Sequence, residues 1–308
     1  MKRSSSNLKK ALIILGTIAG VIALAFGGYA FYLYKSITDT ASHIHEPIDR
    51  GSSDKRAEQI NTSSQDPISF LLLGVDERPG DRGRSDTMVV ITVNPKKESM
   101  IMFSIPRDTR TEIIGRGSED KINHAYAFGG SQMSVETVEN FLDIPIDYYV
   151  KVNMEAFKEI VDAVGGVTVD NKLAFKSGGY QFSEGSVDLD GDAALAYSRM
   201  RKGDPKGDLG RNERQQQIIK AIIKKGASPK MITKFNDVLG TLETNVKTNL
   251  TFDEMKAIQK NYRAALGNTE QFEVKGSGTK INGIYYYIVS DEEKNEITAK
   301  LKEHLEID

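Results

Sequence analysis

The sequence contains no cysteine and only four histidines, and its formal net charge is −2. Without cysteine the fold has no disulfide bridge and no thiolate nucleophile, so an ordinary apolar core has to hold the protein together. The near balance of 41 basic and 43 acidic residues argues against a nucleic-acid-binding protein. The sequence also lacks a G-x-S-x-G elbow and a Walker A loop, which sets aside the usual serine hydrolases and P-loop NTPases.

A long stretch near the N-terminus carries no charge. No charged residue lies between Lys10 and Lys35, and residues 11–34 are almost wholly apolar. About 20 apolar residues cross a bilayer, whereas a cleavable signal peptide has an apolar region of only about 7 to 15 residues. We therefore predict an uncleaved transmembrane anchor over 11–34; a buried soluble helix is the alternative. Basic residues precede this stretch and place the N-terminus in the cytoplasm and the rest of the chain outside, away from DNA.

The composition changes again after the predicted anchor. Residues 35–66 are rich in Ser, Thr, Asp, Lys and Gln and predict a solvated stalk. Three continuous apolar runs of strand length follow, over 68–75, 88–93 and 100–105. Runs that are apolar throughout indicate strands covered on both faces, hence a central sheet between helical layers. The predicted organisation is a cytoplasmic tail (1–10), an anchor (11–34), a stalk (35–66) and one α/β domain (67–308).

Capping signals and one more apolar run predict further elements of this domain. Asn153 precedes an apolar pattern of helical spacing and is a suitable N-cap. Thr251 and Ser290 are each followed three residues later by Glu, which is the spacing of a capping box at the start of a helix. Residues 281–289 form an apolar run that predicts a late strand.

Four arginines crowd residues 196–217: Arg199, Arg201, Arg211 and Arg214. From residue 209 onward the pattern predicts a helix with Asp208 as its N-cap, and isoleucines at 218, 219, 222 and 223 mark its core face. That face, continued toward the N-terminus, includes Gln215 and Arg211, whereas Arg214 lies off it.

Guanidinium groups beside a helix N-terminus, whose free N–H groups favour anions, are typical of a phosphate clamp. The alternative is a solvated basic surface in which nearby carboxylates, among them Asp204 and Asp208, pair with the arginines.

Acidic and basic residues also recur at the predicted strand ends. Asp76 and Arg78 follow the first strand, and Arg84 and Asp86 precede the second, where α/β sheets place their ligand crevice. Two carboxylates at one place repel each other unless a cation lies between them. Oxygen ligands beside a phosphate favour Mg²⁺ or Mn²⁺. The alternative is that the two aspartates simply pair with the two arginines.

The third predicted strand runs into a further pair of this kind. Pro106 stops ladder pairing, and Arg107 and Asp108 follow it immediately. Downstream, Lys121 and His124 fall in a predicted loop that enters a helix. A zinc site at His124 is disfavoured because no second histidine lies close in sequence.

The residues that carry these patterns resemble the LytR-CpsA-Psr family. The resemblance covers nearly the whole chain and rests on the motifs GVDER, GRSDTM, SIPRDT, KINHAYAFGG and AYSRMR. It implies an α/β/α sandwich with a central mixed sheet that encloses an apolar pocket for a polyprenyl chain, and arginines at the pocket mouth that hold a pyrophosphate.

The resemblance also implies roles for individual residues. Asp76 and Asp86 correspond to carboxylates near a metal, Mg²⁺ or Mn²⁺, and are counted as catalytic with Arg107, Arg199 and Arg201. The implied pyrophosphate contacts are Arg84, Arg107, Lys121, Arg199, Arg201, Asp208, Arg211 and Gln215. Arg78 and Arg214 flank motif positions.

The activity implied by the resemblance is transfer of an anionic glycopolymer, with teichoic acid the best match, from undecaprenyl pyrophosphate to peptidoglycan on the outer face of a Gram-positive cell membrane. The acceptor is the C6 hydroxyl of N-acetylmuramic acid, and the product is a phosphodiester. Two alternatives stay open: a polyprenyl pyrophosphate hydrolase and a non-catalytic, membrane-anchored regulator that binds polysaccharide.

Overall fold

The computed structural model of the chain describes residues 35, 41–50, 53–56, 58–77, 83–228 and 245–307. The predicted anchor, residues 11–34, and Arg78 lie outside the described residues. Within the described ranges, no helix combines the length and the apolar character that a membrane crossing requires.

The described residues form strands and helices that alternate along the chain. The strands are β1 (Ile68–Val75), β2 (Ser85–Asn94), β3 (Ser99–Ser104), β4 (Arg110–Ile113), β5 (Ser118–Lys121), β6 (Tyr148–Asn153), β7 (Val167–Asn171), β8 (Phe175–Ser177), β9 (Tyr180–Phe182), β10 (Gly185–Leu189), β11 (Val246–Thr248), β12 (Asn268–Glu273), β13 (Ser277–Ile281) and β14 (Ile284–Ile288). The α-helices are α1 (His124–Leu142), α2 (Met154–Ala163), α3 (Gly191–Arg199), α4 (Asp208–Gly226), α5 (Phe252–Asn261) and α6 (Asp291–Leu305). Two short 3₁₀ helices span Thr62–Ser64 and Arg263–Gly267.

Six strands form a central mixed sheet in the order β11-β6-β1-β2-β3-β12. β1 pairs in parallel with β6, and β3 pairs in parallel with β12. β2 is antiparallel to both β1 and β3, so β1, β3, β6 and β12 all run in the same direction. Their carboxyl ends therefore lie at the same end of the sheet as the start of β2. We call this end of the sheet, where these strands finish, the site edge.

Helices cover both faces of the sheet, as the three apolar runs predicted. Side chains alternate along a strand, so Leu71 and Leu73 of β1 face one side and pack in a cluster with residues of α1 and α6. Phe70 and Leu72 face the other side, where the cluster includes Ile219 of α4 and residues of α5. A third cluster joins α2, α3, β7 and β10 to Ile218 of α4. Helix α4 thus packs against both the sheet and this smaller lobe.

The described part of residues 41–66 packs against the domain, which differs from the solvated stalk that we expected. Ala41 is only 3% exposed, and His45 forms a parallel bridge with Thr248 of β11. Arg56 donates to the buried Asp147, with Nη2 2.9 Å from Oδ2. The polar composition misled the prediction because arginines of this segment pair with buried carboxylates of the domain.

Two predicted elements differ in detail from the structure. The late apolar run over 281–289 is a hairpin turn followed by β14, because Asn282 and Gly283 both have positive φ and turn the chain between two short strands. Ser290 caps α6 by accepting from the Glu293 amide, but the Glu293 carboxylate accepts from the Lys275 amide and does not complete a capping box. Thr251 and Glu254 do form a capping box at α5.

The capping box at α5 gives a stability prediction. We expect Thr251→Ala to lower the free energy of unfolding by about 1 kcal/mol, because the Glu254 amide loses its side-chain acceptor. The matched control is Thr251→Ser, which keeps the hydroxyl and should unfold at nearly the wild-type midpoint. Urea unfolding followed by circular dichroism measures both. Equal losses in the two variants would contradict the capping role.

Candidate active site

The site edge brings the residues of several sequence motifs together. Asp76 follows β1, Asp86 lies at the start of β2, and Arg107 follows β3. These three elements are neighbours in the sheet, and their pairing fixes all three positions at the same end. The convergence that the motif positions predicted is therefore a consequence of strand order and direction.

A β-bulge determines where Asp86 lies. Gly74 of β1 pairs with Thr87, whereas the next residue, Val75, pairs with Ser85, so Asp86 is the extra residue of the bulge. Bulges redirect a side chain at the end of a ladder and are common beside active sites. Gly83 comes so close to the chain after β1 that an added Cβ would lie 2.2 Å from the Asp76 carbonyl oxygen. The backbone around Asp86 is therefore held against the Asp76 segment.

A chain of charged groups runs along the site edge from Asp86 to Lys121. Arg107 Nη1 donates to Asp86 Oδ1 over 2.8 Å, and Arg107 Nε lies 3.9 Å from Asp108 Oδ2. Asp108 Oδ1 in turn accepts from Lys121 Nζ over 2.7 Å. Lys121 is thus connected to Arg107 through Asp108. The sequence pattern pointed to Asp108 only as the neighbour of Arg107, and its bridging position depends on the β4–β5 hairpin that returns Lys121 to this edge.

A second group of charges lies at the start of α4. Arg211 Nη2 donates to Asp208 Oδ2 over 3.0 Å, and Arg201 Nε lies 3.6 Å from Asp208 Oδ1. The helix begins at Asp208 itself, and its N-cap is Gly207 with φ +56°, so the prediction that Asp208 is the N-cap was wrong by one residue. The Asp208 carboxylate is free to face the arginines because it does not cap the helix.

The two groups form one electrostatic cluster. Burial lowers the pKa of Arg211, the Asp208 charge opposes that shift, and the nearby Arg107 charge adds to it. Burial also acts to lower the pKa of Arg107, but the charge and hydrogen bond of Asp86 outweigh it and the pKa is raised. The positive charges of Arg107 and Arg201 act on Arg211 in addition to the negative charge of its partner Asp208. The cluster therefore favours an additional anion.

Three buried polar atoms of predicted site residues in α4 form no hydrogen bond. They are Arg211 Nε, Asp208 Oδ1 and Gln215 Oε1, out of eight such side-chain atoms among the described residues. An unpaired buried polar atom costs about 1–3 kcal/mol, so such atoms are rare unless a ligand satisfies them. Arg211 and Gln215 lie one turn apart on α4, as the isoleucine stripe predicted.

The other predicted site residues are less constrained. Arg84 and Arg199 are exposed. Arg201 keeps 58% of its side-chain surface exposed despite its contact with Asp208. Asp76 is partly buried directly after β1. The structure thus gathers Asp86, Arg107, Arg201, Asp208 and Arg211 in one cluster.

Arg214 belongs to the protein core, so its predicted position off the core face was wrong: it lies one helical turn before the buried Ile218. It is 6% exposed, and Nη1 donates to Asp204 Oδ2 over 2.6 Å while Nη2 donates to the Met200 carbonyl oxygen. The loop between α3 and α4 folds over this side of α4 and buries it. Gly210 leaves room for the pair, since a Cβ there would lie 2.1 Å from Asp204 Oδ2. The alternative that nearby carboxylates pair with the arginines thus holds for Arg214 with Asp204, and also for Arg201 and Arg211 with Asp208.

A further polar cavity, which the sequence patterns did not indicate, lies beside the site edge. It has a volume of about 340 Å³ and is lined by Glu77, Tyr126, Tyr149 and Lys151 among others. Lys151 Nζ donates to Glu77 Oε1 over 3.2 Å, and the Tyr126 hydroxyl donates to the same carboxylate. It opens where α1 is interrupted at Gly129 and Gly130, whose backbone angles are not helical.

The two candidate metal ligands at the site edge, Asp76 and Asp86, offer oxygen donors. Within the described residues, no group of three or more acidic or histidine side chains is arranged to hold a metal ion. Asp86 uses Oδ1 for Arg107 and keeps 38% of its side-chain surface exposed. One or two carboxylates together with substrate phosphate oxygens are a usual Mg²⁺ environment, so these residues fit a metal that arrives with a phosphate ligand.

A helix-covered mixed sheet with arginines and carboxylates at one edge defines an α/β protein whose site suits an anionic ligand of the phosphate class. The sequence model of the LytR_cpsA_psr family matches residues 31–303, and the chain belongs to this family.

Relatives of known name agree with this assignment. The chain is 56% identical over 303 residues to the polyisoprenyl-teichoic acid–peptidoglycan teichoic acid transferase TagU of Halalkalibacterium halodurans, and the match covers 97% of this chain and all of the relative. The crystal structure of Bacillus subtilis TagU is 53% identical, with a TM-score of 0.65 over 79% of this chain and 98% of that one. A structure described as TagT bound to LIIa-WTA is 33% identical, with a TM-score of 0.73 over 85% of this chain and all of that one.

Proposed function

We propose that the protein transfers a teichoic acid from a polyisoprenyl pyrophosphate carrier to peptidoglycan on the outer face of the cell membrane. The single observation that carries the proposal is the cluster of Arg107, Arg201 and Arg211 with Asp86 and Asp208. The names of the relatives agree: transferases of this specificity match the chain over nearly its whole length. The predicted anchor over 11–34 would hold the site near the membrane that supplies the lipid carrier.

The charge of the cluster supports a pyrophosphate as its ligand. Arg107 is close enough to Arg211 for its charge to lower the pKa of Arg211, and Arg211 Nε is buried without a hydrogen-bond acceptor. A guanidinium fork matches the spacing of phosphate oxygens, and two forks together span two phosphates. Asp208, which contacts both Arg201 and Arg211, keeps the two side chains oriented before the ligand binds.

An apolar surface next to the cluster supports a lipid carrier. Phe70 and Leu72 of β1 face α4 and remain partly exposed, although they lie on the central strand of the sheet. Ile219 and Ile223, on the same side of α4, are also only partly buried. Apolar side chains in the middle of a sheet are normally covered, so we assign this surface to the polyprenyl chain.

The reaction forms one bond and breaks one. The C6 hydroxyl oxygen of N-acetylmuramic acid attacks the phosphorus next to the glycopolymer, and the bond from that phosphorus to the bridging oxygen breaks, which releases polyprenyl phosphate. Arg107, Arg201 and Arg211 stabilise the negative charge that grows on the phosphate oxygens. The hydroxyl proton passes to a carboxylate of the site edge, Asp76 or Asp86. Lys121, held by Asp108, adds positive charge at one end of the cluster.

Asp76 and Asp86 are the residues that would hold Mg²⁺ or Mn²⁺ together with the substrate phosphates. When bound, the ion supplies Lewis acidity that offsets charge on the pyrophosphate.

One assay tests the proposed activity. The full-length chain in detergent is incubated with a lipid-pyrophosphate-linked teichoic acid precursor, peptidoglycan oligomers and Mg²⁺, and the products are separated by chromatography. We expect glycopolymer attached to peptidoglycan. Release of free phosphorylated sugar in the presence of acceptor would identify a hydrolase instead, and binding without turnover would identify a regulator.

Removal of the metal gives a second prediction for this assay. We expect EDTA to reduce the transfer rate by about 100-fold, because uncompensated phosphate charge raises the barrier by several kcal/mol. Mg²⁺ or Mn²⁺ should restore the rate, since the donors are carboxylates. An unchanged rate after EDTA treatment would remove the metal from the proposal while leaving the arginine cluster in place.

A further inference from the structure

The last two strands of the chain form a ribbon that stands apart from the sheet. β13 and β14 pair with each other over residues 277–288, and the turn at Asn282 and Gly283 forms the tip. Among the described residues, a single bridge between Thr109 and Tyr287 joins this ribbon to another strand-like segment. We call residues 277–288 the ribbon.

The tip of the ribbon exposes large apolar side chains. Ile284 is 51% exposed and Tyr285 is 45% exposed, which makes them the two most exposed large apolar side chains in the described part of the chain. Tyr286, between them and the domain, is only 8% exposed and fixes the base of the ribbon. Successive side chains of a strand point to opposite faces, so each face of the ribbon carries one of these exposed apolar side chains near its tip, which marks the tip as a contact surface.

The ribbon carries one charged residue, Lys280, and a second lysine, Lys275, lies two residues before it. Lys280 lies directly opposite Tyr285 in the register of the ribbon. Tyrosine beside lysine, with an isoleucine at the tip, is the composition that sits at the boundary between lipid headgroups and acyl chains, where long basic side chains reach back to the phosphates.

The ribbon projects from the site edge. It follows β12, whose carboxyl end lies at that edge, and the Tyr287 amide donates to the Asp108 carbonyl oxygen over 2.8 Å. Lys121 Nζ lies 5.9 Å from the centre of the Tyr286 ring. The ribbon is therefore fixed to the same residues that hold the anion cluster.

The N-terminal part of the chain reaches the domain from the same direction. His45 pairs in parallel with Thr248, so the residues before His45 come from the end at which β11 begins, which is the site edge. Ala41 is already buried against the domain. Only residues 35–40 separate it from the predicted anchor, and six residues span at most about 20 Å. An anchor over 11–34, as predicted, would therefore hold the site edge close to the bilayer.

We infer that Ile284 and Tyr285 insert into the headgroup region of the bilayer and hold the site edge against the membrane, where the lipid-linked substrate enters. This inference rests on the proposed function, since it requires the anchored topology. The surface that the tip contacts is the phospholipid bilayer. Exposed isoleucine, tyrosine and lysine side chains are typical of a membrane interface, and the N-terminal chain approaches the domain from the same edge.

The absence of tryptophan from the sequence allows a direct test. The full-length Tyr285→Trp variant, whose indole is then the unique tryptophan fluorophore, is reconstituted into phospholipid vesicles with brominated acyl chains. We expect its emission to fall roughly twofold relative to vesicles of unbrominated lipid, as expected for an indole at the interface. The matched control is Lys96→Trp, an exposed position in the turn between β2 and β3 at the opposite edge of the sheet, which should show no quenching.

The outcomes separate this inference from the proposed function. Failure of the chain to float with the vesicles would overturn the anchored topology and the inference with it. Flotation with equal, unquenched emission from both variants would overturn the ribbon contact alone. Absence of transfer by the wild-type chain would reject the proposed activity without affecting the quenching result.

A charge at the tip tests the consequence for substrate entry. We expect the double variant Ile284→Glu, Tyr285→Glu to lose roughly tenfold in transfer from a long-chain donor embedded in vesicles, because a charged tip is expelled from the interface. Transfer from a short-chain, water-soluble donor should keep its wild-type rate, which also shows that the variant is folded. Equal losses with both donors would contradict a role in membrane contact.

Discussion

Arg107→Ala is expected to reduce the rate of glycopolymer transfer by about 1,000-fold, the range seen when a charge-stabilising donor is removed from a phosphoryl-transfer site. Arg107 contacts Asp86, approaches Asp108 and is electrostatically coupled to Arg211 and Asp208. Its removal therefore takes away one phosphate-binding fork and also leaves the Asp86 carboxylate next to the substrate without its counter-charge. The loss should appear mainly in kcat, because the charge to be stabilised is largest in the transition state.

Two further variants give this prediction its specificity. Arg107→Lys keeps the charge but not the planar fork, and we expect an intermediate loss of roughly 10- to 100-fold. Arg110→Ala is the matched control, because Arg110 lies only three residues away, at the start of β4, and pairs with Glu119 on the surface. Its rate should match that of the wild type. If Arg107→Ala retained most of the activity of the Arg110→Ala protein, the cluster would not be the catalytic centre.

Arg214→Ala is expected to lower the free energy of unfolding by about 3–5 kcal/mol, as when one partner of a buried ion pair is removed. The side chains of Arg214 and Asp204 are 7% and 5% exposed, and Arg214 also donates to the Met200 carbonyl oxygen. The truncation leaves the Asp204 carboxylate buried without its partner. Thermal or urea unfolding measures the change, and Arg263→Ala, at an exposed arginine, serves as the control with an expected change near zero.

The same prediction has a pH dependence. Burial acts to raise the pKa of Asp204, but the hydrogen bond and charge of Arg214 outweigh it and hold that pKa below its ordinary value of 3.8. The stabilisation by this pair is therefore fully present above that ordinary pKa and is lost as the pH falls through the lowered one. The difference between Arg214→Ala and wild type should be largest near neutral pH and should shrink in acid. A difference that grew on acidification would contradict the ion-pair explanation.

The part of the site that follows periodic structure was predictable from the sequence. Asp86 and Arg107 flank apolar runs, and the direction of neighbouring strands is enough to bring strand ends together. Arg211 and Gln215 continue the isoleucine stripe of α4, so their shared face follows from helical spacing alone. In these cases the local pattern and the tertiary structure agree.

The partner of Arg214 and the segment before β1 were not predictable in this way. Arg214 precedes Ile218 of the stripe by one helical turn, but its partner Asp204 lies in an irregular loop, and no periodicity in residues 200–207 indicates how that loop folds. The segment 41–66 has the composition of a solvated linker, yet Arg50 and Arg56 pair with Glu139 and Asp147, which lie about 90 positions away in sequence. Pairings between distant charged residues leave no signal in a single sequence.

The strand order of the central sheet has a consequence for how the protein is made. Both outer strands, β11 and β12, come from the C-terminal part of the chain, while the four inner strands lie before residue 154. β12 joins β3 only after some 160 intervening residues have been synthesised, and such distant pairing is slow to form. The outer strand β12, the ribbon and helix α6 are thus completed late, so a chain that ended before β12 would leave β3 as an open edge strand and would be prone to aggregation.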